Sequence, residues 1–180
     1  MRFAAPLAPI LFAWLISAPA GAGTLTPCFT PGQDCTAAIV AEIASAKTSL
    51  LVQAYSFTST AIIEAIANAK ERGVDVHVIL DASNDTDRYT GATYLLNHGI
   101  TPLIDYKPAI AHNKVMVIDG RDVVTGSFNF TKAAQTSNAE NVLFVHDEPA
   151  VAKAYTDNWH RRAAASRIYT GPHSKQSAKF

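Results

Sequence analysis

The chain has 180 residues, of which 48% are hydrophobic, 17% charged and 9% aromatic. This length supports one domain of about 100–200 residues, and the composition excludes disordered, collagen-like and coiled-coil proteins. Fifteen Lys and Arg balance fifteen Asp and Glu, and there are two cysteines, so polyanion binding needs a local charge cluster and a four-cysteine zinc site is excluded.

The first 22 residues have the layout of a secretory signal peptide. A basic start, Met1-Arg2, precedes an apolar stretch, and small residues then provide cleavage positions after Ala20 or Ala22. The alternative is an N-terminal membrane anchor, but three prolines interrupt a stretch that is marginal for the ~20 residues of a spanning helix. We therefore expect a mature protein that is periplasmic or secreted and has no stable membrane association.

Cys28 and Cys35 flank a Pro31-Gly32 turn near the start of the mature chain. In an oxidising compartment such a pair can form a local disulfide. The spacing is not Cys-x-x-Cys, so we favour a small structural clip on an N-terminal loop over a redox site.

Helix and strand patterns then alternate along the chain. Thr36 is a candidate cap for a helix to about residue 47, and a buried strand is predicted over 49–57. Thr58 or Ser59 opens a helix that ends at Gly73. The predicted elements that follow are a strand over 74–81, a polar loop over 82–88, a helix ending at His98-Gly99 and a short strand over 101–105.

The C-terminal half continues with a hairpin. Asp119-Gly120 lies between two apolar runs and predicts a tight turn between strands 114–119 and 122–125. A strand over 141–146 and a helix from 148 to about 167 complete a domain over 23–168, followed by a disordered tail over 169–180. Strands separated by helices predict an α/β fold, a mixed β-sheet flanked by helices in an α-β-α sandwich.

The residues that carry chemistry are concentrated between positions 112 and 140. His112 and Lys114 share one face of a predicted strand, because side chains alternate along a strand. The hairpin brings Gly126-Ser127 and Asn129 back beside the start of that strand. An imidazole, an ammonium, a hydroxyl and a carboxamide therefore surround one spot, which suits a phosphoryl group held by donors and attacked or protonated by the imidazole.

Glu140 lies near the next strand and can orient the imidazole by accepting its other N–H. No second or third carboxylate accompanies it in the motif, so a two-metal mechanism has little support and we expect no metal and no cofactor. Asp119 is expected to be a structural turn residue.

Each of these residues also has a structural explanation when it is taken alone. His112 would be a surface or satisfied core histidine, Lys114 a solvated edge charge, and Gly126-Ser127 an ordinary turn. Asn129 would be a helix cap ahead of Thr131. The combination, together with Glu140, favours a catalytic site.

The same residues resemble a known signature. His112, Lys114, Asp119, Gly126 and Ser127 match the His-x-Lys-x4-Asp-x6-Gly-Ser motif of the phospholipase D superfamily without a mismatch. The stretches 126–134, 55–58 and 70–76 resemble the small exported bacterial endonucleases of that superfamily, and the resemblance extends over about residues 37–162.

The resemblance implies a metal-free mechanism in which one histidine forms a covalent phosphohistidine and a second protonates the leaving oxygen. Long members carry two copies of the motif, and this chain carries one. The implied enzyme is a homodimer in which each protomer gives His112, Lys114, Ser127 and Asn129 to one shared site. Glu140 matches the acid that orients the histidine, and Asp119 lies outside the phosphate pocket. The final helix with Trp159 is a candidate part of the dimer contact.

Nucleic acid is the expected substrate, most simply as a nonspecific endonuclease acting on DNA or RNA. The chain is short, with no large insertion to build an acyl-chain cleft, and its C-terminal stretch is basic. Arg161 and Arg162 are candidates there for contacts to a phosphate backbone without base recognition. The alternatives are a phospholipase D acting on phosphatidylcholine-type lipids and an inactive nucleic-acid-binding relative.

Overall fold

The computed structural model describes residues 23–86 and 90–172. The predicted signal peptide, the end of the predicted 82–88 loop and residues 173–180 of the predicted tail lie outside the described residues. The strands are β1 (Thr24–Thr30), β2 (Ser49–Ala54), β3 (Asp75–Asp81), β4 (Leu103–Asp105), β5 (Lys114–Ile118), β6 (Asp122–Gly126), β7 (Glu140–His146) and β8 (Arg167–Ile168). The helices are α1 (Cys35–Ser45), α2 (Thr60–Glu71), α3 (Gly91–Asn97), α4 (Lys132–Thr136) and α5 (Pro149–Ala165).

The strands form one mixed sheet in the order β1-β7-β6-β5-β2-β3-β4-β8. The β2–β3 and β3–β4 pairs are parallel, and the other neighbours are antiparallel. Helices α1, α2 and α3 pack on one face, and α5 packs on the other. Because both faces are covered, β5 is an unbroken apolar run after Lys114 rather than an alternating one. The predicted α/β fold with a mixed sheet flanked by helices is confirmed.

Three local details near the two ends of the described domain differ from the sequence prediction. Helix α1 is capped by Asp34, whose Oδ1 accepts the Ala37 N–H at 2.9 Å, and not by Thr36. Strand β1 was not predicted; its Pro27 is tolerated because β1 is an edge strand. Tyr169 is only 1% exposed, and its hydroxyl hydrogen-bonds to Thr93 at 2.8 Å, so the ordered domain extends past the predicted boundary at 168.

Cys28 and Cys35 form a disulfide, with their Cα atoms 5.7 Å apart. The bond joins Cys28, near the end of β1, to Cys35, the first residue of α1, and both cysteines are buried. The predicted clip is therefore part of the sheet edge rather than of a free loop.

The β5–β6 turn is fastened to the loop before β2 by Asp119. Asp119 and Gly120 both have positive φ angles, 53° and 67°, as a tight hairpin turn requires. The Asp119 carboxylate accepts the backbone N–H groups of Lys47, Thr48 and Ser49 at distances between 2.8 and 3.2 Å. The Asp119 carboxylate thus joins the β5–β6 turn to the chain that leads into β2.

We expect Asp119→Ala to lower the free energy of unfolding at pH 7 by about 2 kcal/mol, since hydrogen bonds to a charged group are lost. Partial burial acts to raise the pKa of Asp119, but the N–H groups of Ser49 and Thr48 outweigh it and hold the pKa below its ordinary value. The stabilisation is therefore present above the unfolded pKa of about 3.9 and is lost as the pH falls through the folded pKa.

Urea unfolding of the wild type and the variant at pH 7 and pH 3 measures this difference. The exposed Asp75 of β3 provides the control, because Asp75→Ala should change the stability by less than about 0.5 kcal/mol. A difference between wild type and Asp119→Ala that is as large at pH 3 as at pH 7 would contradict the ionic role.

The helices in residues 23–86 and 90–172 include none that is long and apolar enough to cross a membrane.

Candidate functional site

One edge of the sheet gathers the residues that the sequence singled out. The carboxyl ends of the parallel strands β2, β3 and β4 open at this edge, where ligands of α/β sheets commonly bind. Strand β5 begins there, because Lys114 pairs with Ala54 at the end of β2. Strand β6 ends there at Gly126, and β7 begins there at Glu140.

His112 stands at this edge as an exposed side chain just before β5. The strand begins at Lys114, so His112 lies on the segment leading into it rather than on the predicted strand itself. The imidazole packs against the ring of Tyr55, with the ring centroids 4.7 Å apart and the planes at 51°. The histidine therefore reaches solvent while one side of its ring is supported.

The backbone around His112 is held from two neighbouring strands. The N–H of Tyr55, after β2, donates to the carbonyl of Asn113 at 3.0 Å. The N–H of Ala111 donates to the buried carboxylate of Asp81, at the end of β3, at 2.7 Å. These bonds fix the residues on both sides of His112 and so limit the positions its ring can take.

Asn84 links the ends of β2 and β3, the two strands that hold the backbone around His112. The side-chain N–H groups of Asn84 donate to the carbonyls of Tyr55 at 2.6 Å and Asp81 at 3.1 Å. Sequence reasoning treated 82–88 as a polar loop and missed the roles of Asp81 and Asn84. The signal was available, since polar residues directly after a buried parallel strand lie at the ligand-binding edge of the sheet.

Lys114 is a charged residue that is only 5% exposed. Its Nζ donates to the His112 carbonyl at 2.8 Å and lies 5.2 Å from the centroid of the Tyr55 ring. Burial lowers the pKa of Lys114, and the negative charge of Glu140 acts against that shift. A partly desolvated ammonium next to an exposed imidazole is a strong attractor for an anionic group.

Gly126 and Ser127 turn the chain at the end of β6. The φ of Gly126 is 152°, and a Cβ atom there would lie 2.2 Å from the carbonyl oxygen of Asn141. Only glycine therefore allows this approach of β6 to β7. The Ser127 hydroxyl donates to Glu140 at 2.6 Å and accepts the N–H of Asn141 at 3.0 Å, which places it in the row of polar groups along the edge.

Glu140 is not hydrogen-bonded to His112 within one protomer, unlike the expectation from sequence. Its two oxygens accept from Ser127 and from the amide of Asn138, the latter at 2.9 Å. The reason lies in the strand order: β6 separates β5 from β7, so two strand spacings of about 4.8 Å lie between the two residues. Within the single chain, the Glu140 carboxylate is thus used by Ser127 and Asn138 rather than by the imidazole of His112.

Asn129 does not serve as the helix cap that its position alone suggested. The hydroxyl of Thr131 caps α4 by accepting the Ala134 N–H at 3.2 Å. The Oδ1 atom of Asn129 is buried, and no described group hydrogen-bonds to it. The carboxamide is therefore not used by the local fold.

Of the two predicted substrate contacts in the C-terminal helix, one is occupied by another part of the chain. Arg162 makes two hydrogen bonds of 2.7 Å to the buried carboxylate of Asp105, so its guanidinium ties α5 to β4 instead of facing substrate. Arg161 is exposed and remains available. The Trp159 side chain is buried within the single chain, where its indole N–H donates to the Val52 carbonyl at 3.0 Å.

The site therefore combines an exposed imidazole with an ammonium, a hydroxyl and a carboxamide, and the carboxylate of Glu140 lies along the same edge. Such groups can hold a phosphoryl group and exchange a proton or a bond with it. Within residues 23–86 and 90–172, no cluster of three or more His, Cys, Asp or Glu is arranged to hold a metal ion.

Comparison with known proteins agrees with this chemistry. The family model described as "Cardiolipin synthase, PLD-like domain" matches residues 39–162. The chain is 41% identical to phospholipase D of Rickettsia typhi over 145 residues, which cover 81% of this chain and 71% of that protein. It is 30% identical to human mitochondrial cardiolipin hydrolase over 126 residues, covering 69% of this chain and 50% of that protein.

Solved structures show the same architecture. Nuc of Salmonella typhimurium, a phospholipase D family member, superposes with a TM-score of 0.77 at 37% identity, over 82% of this chain and 98% of Nuc. NucT of Helicobacter pylori, at 23% identity, shares the fold with a TM-score of 0.75 over 82% of this chain and 99% of NucT. The chain belongs to the phospholipase D superfamily, as a single-domain, Nuc-like phosphodiester hydrolase.

Proposed function

We propose that this protein is a nonspecific endonuclease that cleaves DNA, and RNA as a second polynucleotide, without a metal, in an active site shared by two copies of the chain. The observation that carries the proposal is that each chain brings one imidazole to the site edge. The other described histidines are engaged elsewhere: His77 with Asp75, His98 with Tyr94, His146 with Glu42 and His160 with Trp159.

A homodimer supplies the second imidazole that a two-step displacement needs. The His112 imidazole of one protomer attacks phosphorus and forms a P–N bond, while the P–O bond to the leaving group breaks. The partner's His112 gives its proton to the leaving oxygen and then takes a proton from water, which attacks phosphorus and breaks the P–N bond. Both histidines end the cycle in their starting forms.

The remaining residues of the site support the charges that develop. Lys114, Ser127 and Asn129 are proposed to hold the non-bridging phosphoryl oxygens, as preorganised donors do in other transfer reactions. Glu140 is proposed to accept the free N–H of the partner's His112, since the strand order separates it from the imidazole of its own chain. A carboxylate in that place favours the imidazolium form and so supports the proton donor.

The choice of nucleic acid rests on the size of the chain and on its resemblance to the exported endonucleases. The chain is short and offers no large insertion that could build an acyl-chain cleft, and the core motif itself is proposed to contact only the phosphodiester. Arg161 adds a solvent-exposed cation on α5, consistent with contacts to a backbone rather than to bases.

A phospholipase D activity is the second candidate. The Rickettsia relatives that bear this name favour it, because their similarity extends over most of the chain. The chemistry of the phosphoryl site would be the same, and only the groups on either side of the phosphodiester would differ.

The experiment that separates these functions is a parallel assay of the purified mature protein with excess EDTA. We expect plasmid DNA to be degraded at a rate that EDTA does not change, and RNA to be cut as well. Choline release from phosphatidylcholine vesicles at a higher turnover than DNA cleavage would assign the second candidate. Full loss of DNA cleavage on chelation would contradict the metal-free mechanism.

A further inference from the structure

The disulfide-closed loop lies against the segment that carries Glu140. Cys28 pairs with Val142 across β1 and β7, and Thr30 pairs with Glu140. The loop from Cys28 to Cys35 therefore begins two residues before the strand position opposite Glu140. No part of the proposed mechanism so far uses this loop.

Thr30 provides the direct connection. Thr30 is only 4% exposed. The Oγ1 atom accepts the backbone N–H of Glu140 at 3.2 Å, and its hydrogen is directed to the carbonyls of Ala134 at 2.9 Å and Asn138 at 3.2 Å. One hydroxyl thus joins both ends of the segment that runs from α4 to β7.

The same segment determines where the Glu140 carboxylate points. Asn138, whose carbonyl faces Thr30, also donates its side-chain amide to Glu140 at 2.9 Å. Ser127 holds the other carboxylate oxygen at 2.6 Å. A shift of the Thr30 hydroxyl would therefore move both the backbone of Glu140 and the amide that orients its side chain.

The loop is also joined to α4 through Gln135. Its amide donates to the carbonyl of Gln33 at 2.9 Å, and its Oε1 accepts the N–H of Thr36 at 3.0 Å. Gln33 and Thr36 lie on either side of Cys35, so closing the loop with the disulfide fixes both partners of Gln135. The disulfide and these hydrogen bonds together hold the 28–35 loop and α4 against the start of β7.

We propose that Thr30 is a positioning residue for Glu140, held in place by the Cys28–Cys35 disulfide, so that full activity requires the oxidised pair. The inference rests on the proposed role of Glu140 in supporting the partner's imidazole. Two electrons and two protons from a dithiol such as dithiothreitol convert the S–S bond into two thiols, and the dithiol closes to its own disulfide. The loop is then open, and Glu140 loses its fixed position.

The test compares Thr30→Val, which keeps the shape and removes the hydroxyl, with Thr30→Ser, which keeps the hydroxyl. Both retain the disulfide. We expect Thr30→Val to lower kcat on bis(p-nitrophenyl) phosphate by about 10- to 100-fold, as small displacements of catalytic groups do, with KM changed by less than about twofold. Thr30→Ser should restore most of kcat. The exposed Thr26 of the same strand supplies the control variant, Thr26→Val.

The pH profile separates positioning from a general loss of stability. A displaced Glu140 favours the imidazolium less, so the alkaline limb of the rate profile of Thr30→Val should move to lower pH. The reduced wild type and the double variant Cys28→Ala/Cys35→Ala should show the same decrease in kcat and the same shift of the alkaline limb to lower pH. Dithiothreitol should have no effect on the double variant.

The outcomes distinguish this inference from the proposed function. If His112→Ala abolishes turnover while Thr30→Val and the reduced wild type retain the wild-type kcat and pH profile, the positioning role is wrong and the function stands. If His112→Ala retains turnover, the proposed function itself is wrong. A Thr30→Val enzyme that is less stable but has an unchanged kcat and pH profile also overturns the inference.

Discussion

Replacing His112 with alanine is expected to lower kcat on DNA by at least about 10³-fold, because the variant has neither the nucleophile nor the proton donor. Folding should be unaffected, since the side chain is exposed and its ring contact is with Tyr55 at the surface of the sheet edge. Single-turnover cleavage of a labelled oligonucleotide measures the effect. His160→Ala, at an exposed position of α5, is the matched control and should remain within about twofold of wild type.

Mixing the variant with wild type extends this test to the shared site. If one site needs His112 from both protomers, only wild-type pairs are active, and activity falls with the square of the wild-type fraction. Equal amounts of the two chains, after subunit exchange, should therefore give about one quarter of the full activity rather than about one half. A linear dependence would show that each protomer works alone.

The rate profile of the wild type should be bell-shaped, because one histidine starts neutral and the other protonated. A flat profile from acid to alkaline pH would contradict the two-histidine scheme, and so would failure to trap a phosphorylated His112 by rapid quenching during turnover.

Lys114→Met is expected to lower kcat by about 10²- to 10³-fold, the usual effect of removing one preorganised donor from a site of developing negative charge. Methionine keeps the apolar length of the side chain, so the packing next to Tyr55 is preserved while the ammonium is lost. The measurement is kcat and KM on DNA and on a small diester. Lys153→Met, at an exposed lysine paired with Asp157, provides the control and should change kcat by less than about twofold.

Lys114 also predicts a feature of the wild-type pH profile. Since burial lowers its pKa, the ammonium loses its proton at a lower pH than an ordinary lysine does. Loss of this proton should therefore cause a further decrease in activity on the alkaline side of the profile. The decrease should occur at a pH below the ordinary lysine pKa of about 10.4. Retention of full kcat in Lys114→Met would remove Lys114 from the site.

The cluster at the sheet edge was predictable from the sequence because its parts are close in the chain. His112 and Lys114 are two residues apart, and Asp119-Gly120 fixes a hairpin whose register brings Ser127 back to them. Local alternation and turn chemistry are enough to place such residues together. The alternation of strand and helix patterns along the chain likewise predicted a mixed sheet flanked by helices.

Other parts of the site depend on contacts between distant segments. Asp81 and Asn84 support the His112 segment from β3, and Thr30 reaches Glu140 from β1; no local pattern connects these positions. Arg162 looked like a free cation until the fold brought Asp105, from a different strand, within 2.7 Å. The sequence records which groups are charged but not which opposite charge lies beside them.

The amino-acid sequence alone therefore determined the superfamily, the fold class and the candidate phosphoryl-binding groups, because those follow from short spacings and strand periodicity. The tertiary structure alone decided which of the groups can meet. The strand order inserts β6 between the strands that follow His112 and begin at Glu140, so the acid is not hydrogen-bonded to the imidazole of its own chain. It also places the disulfide loop directly beside the acid. Strand order is a long-range property, set by how the whole sheet packs between its helices.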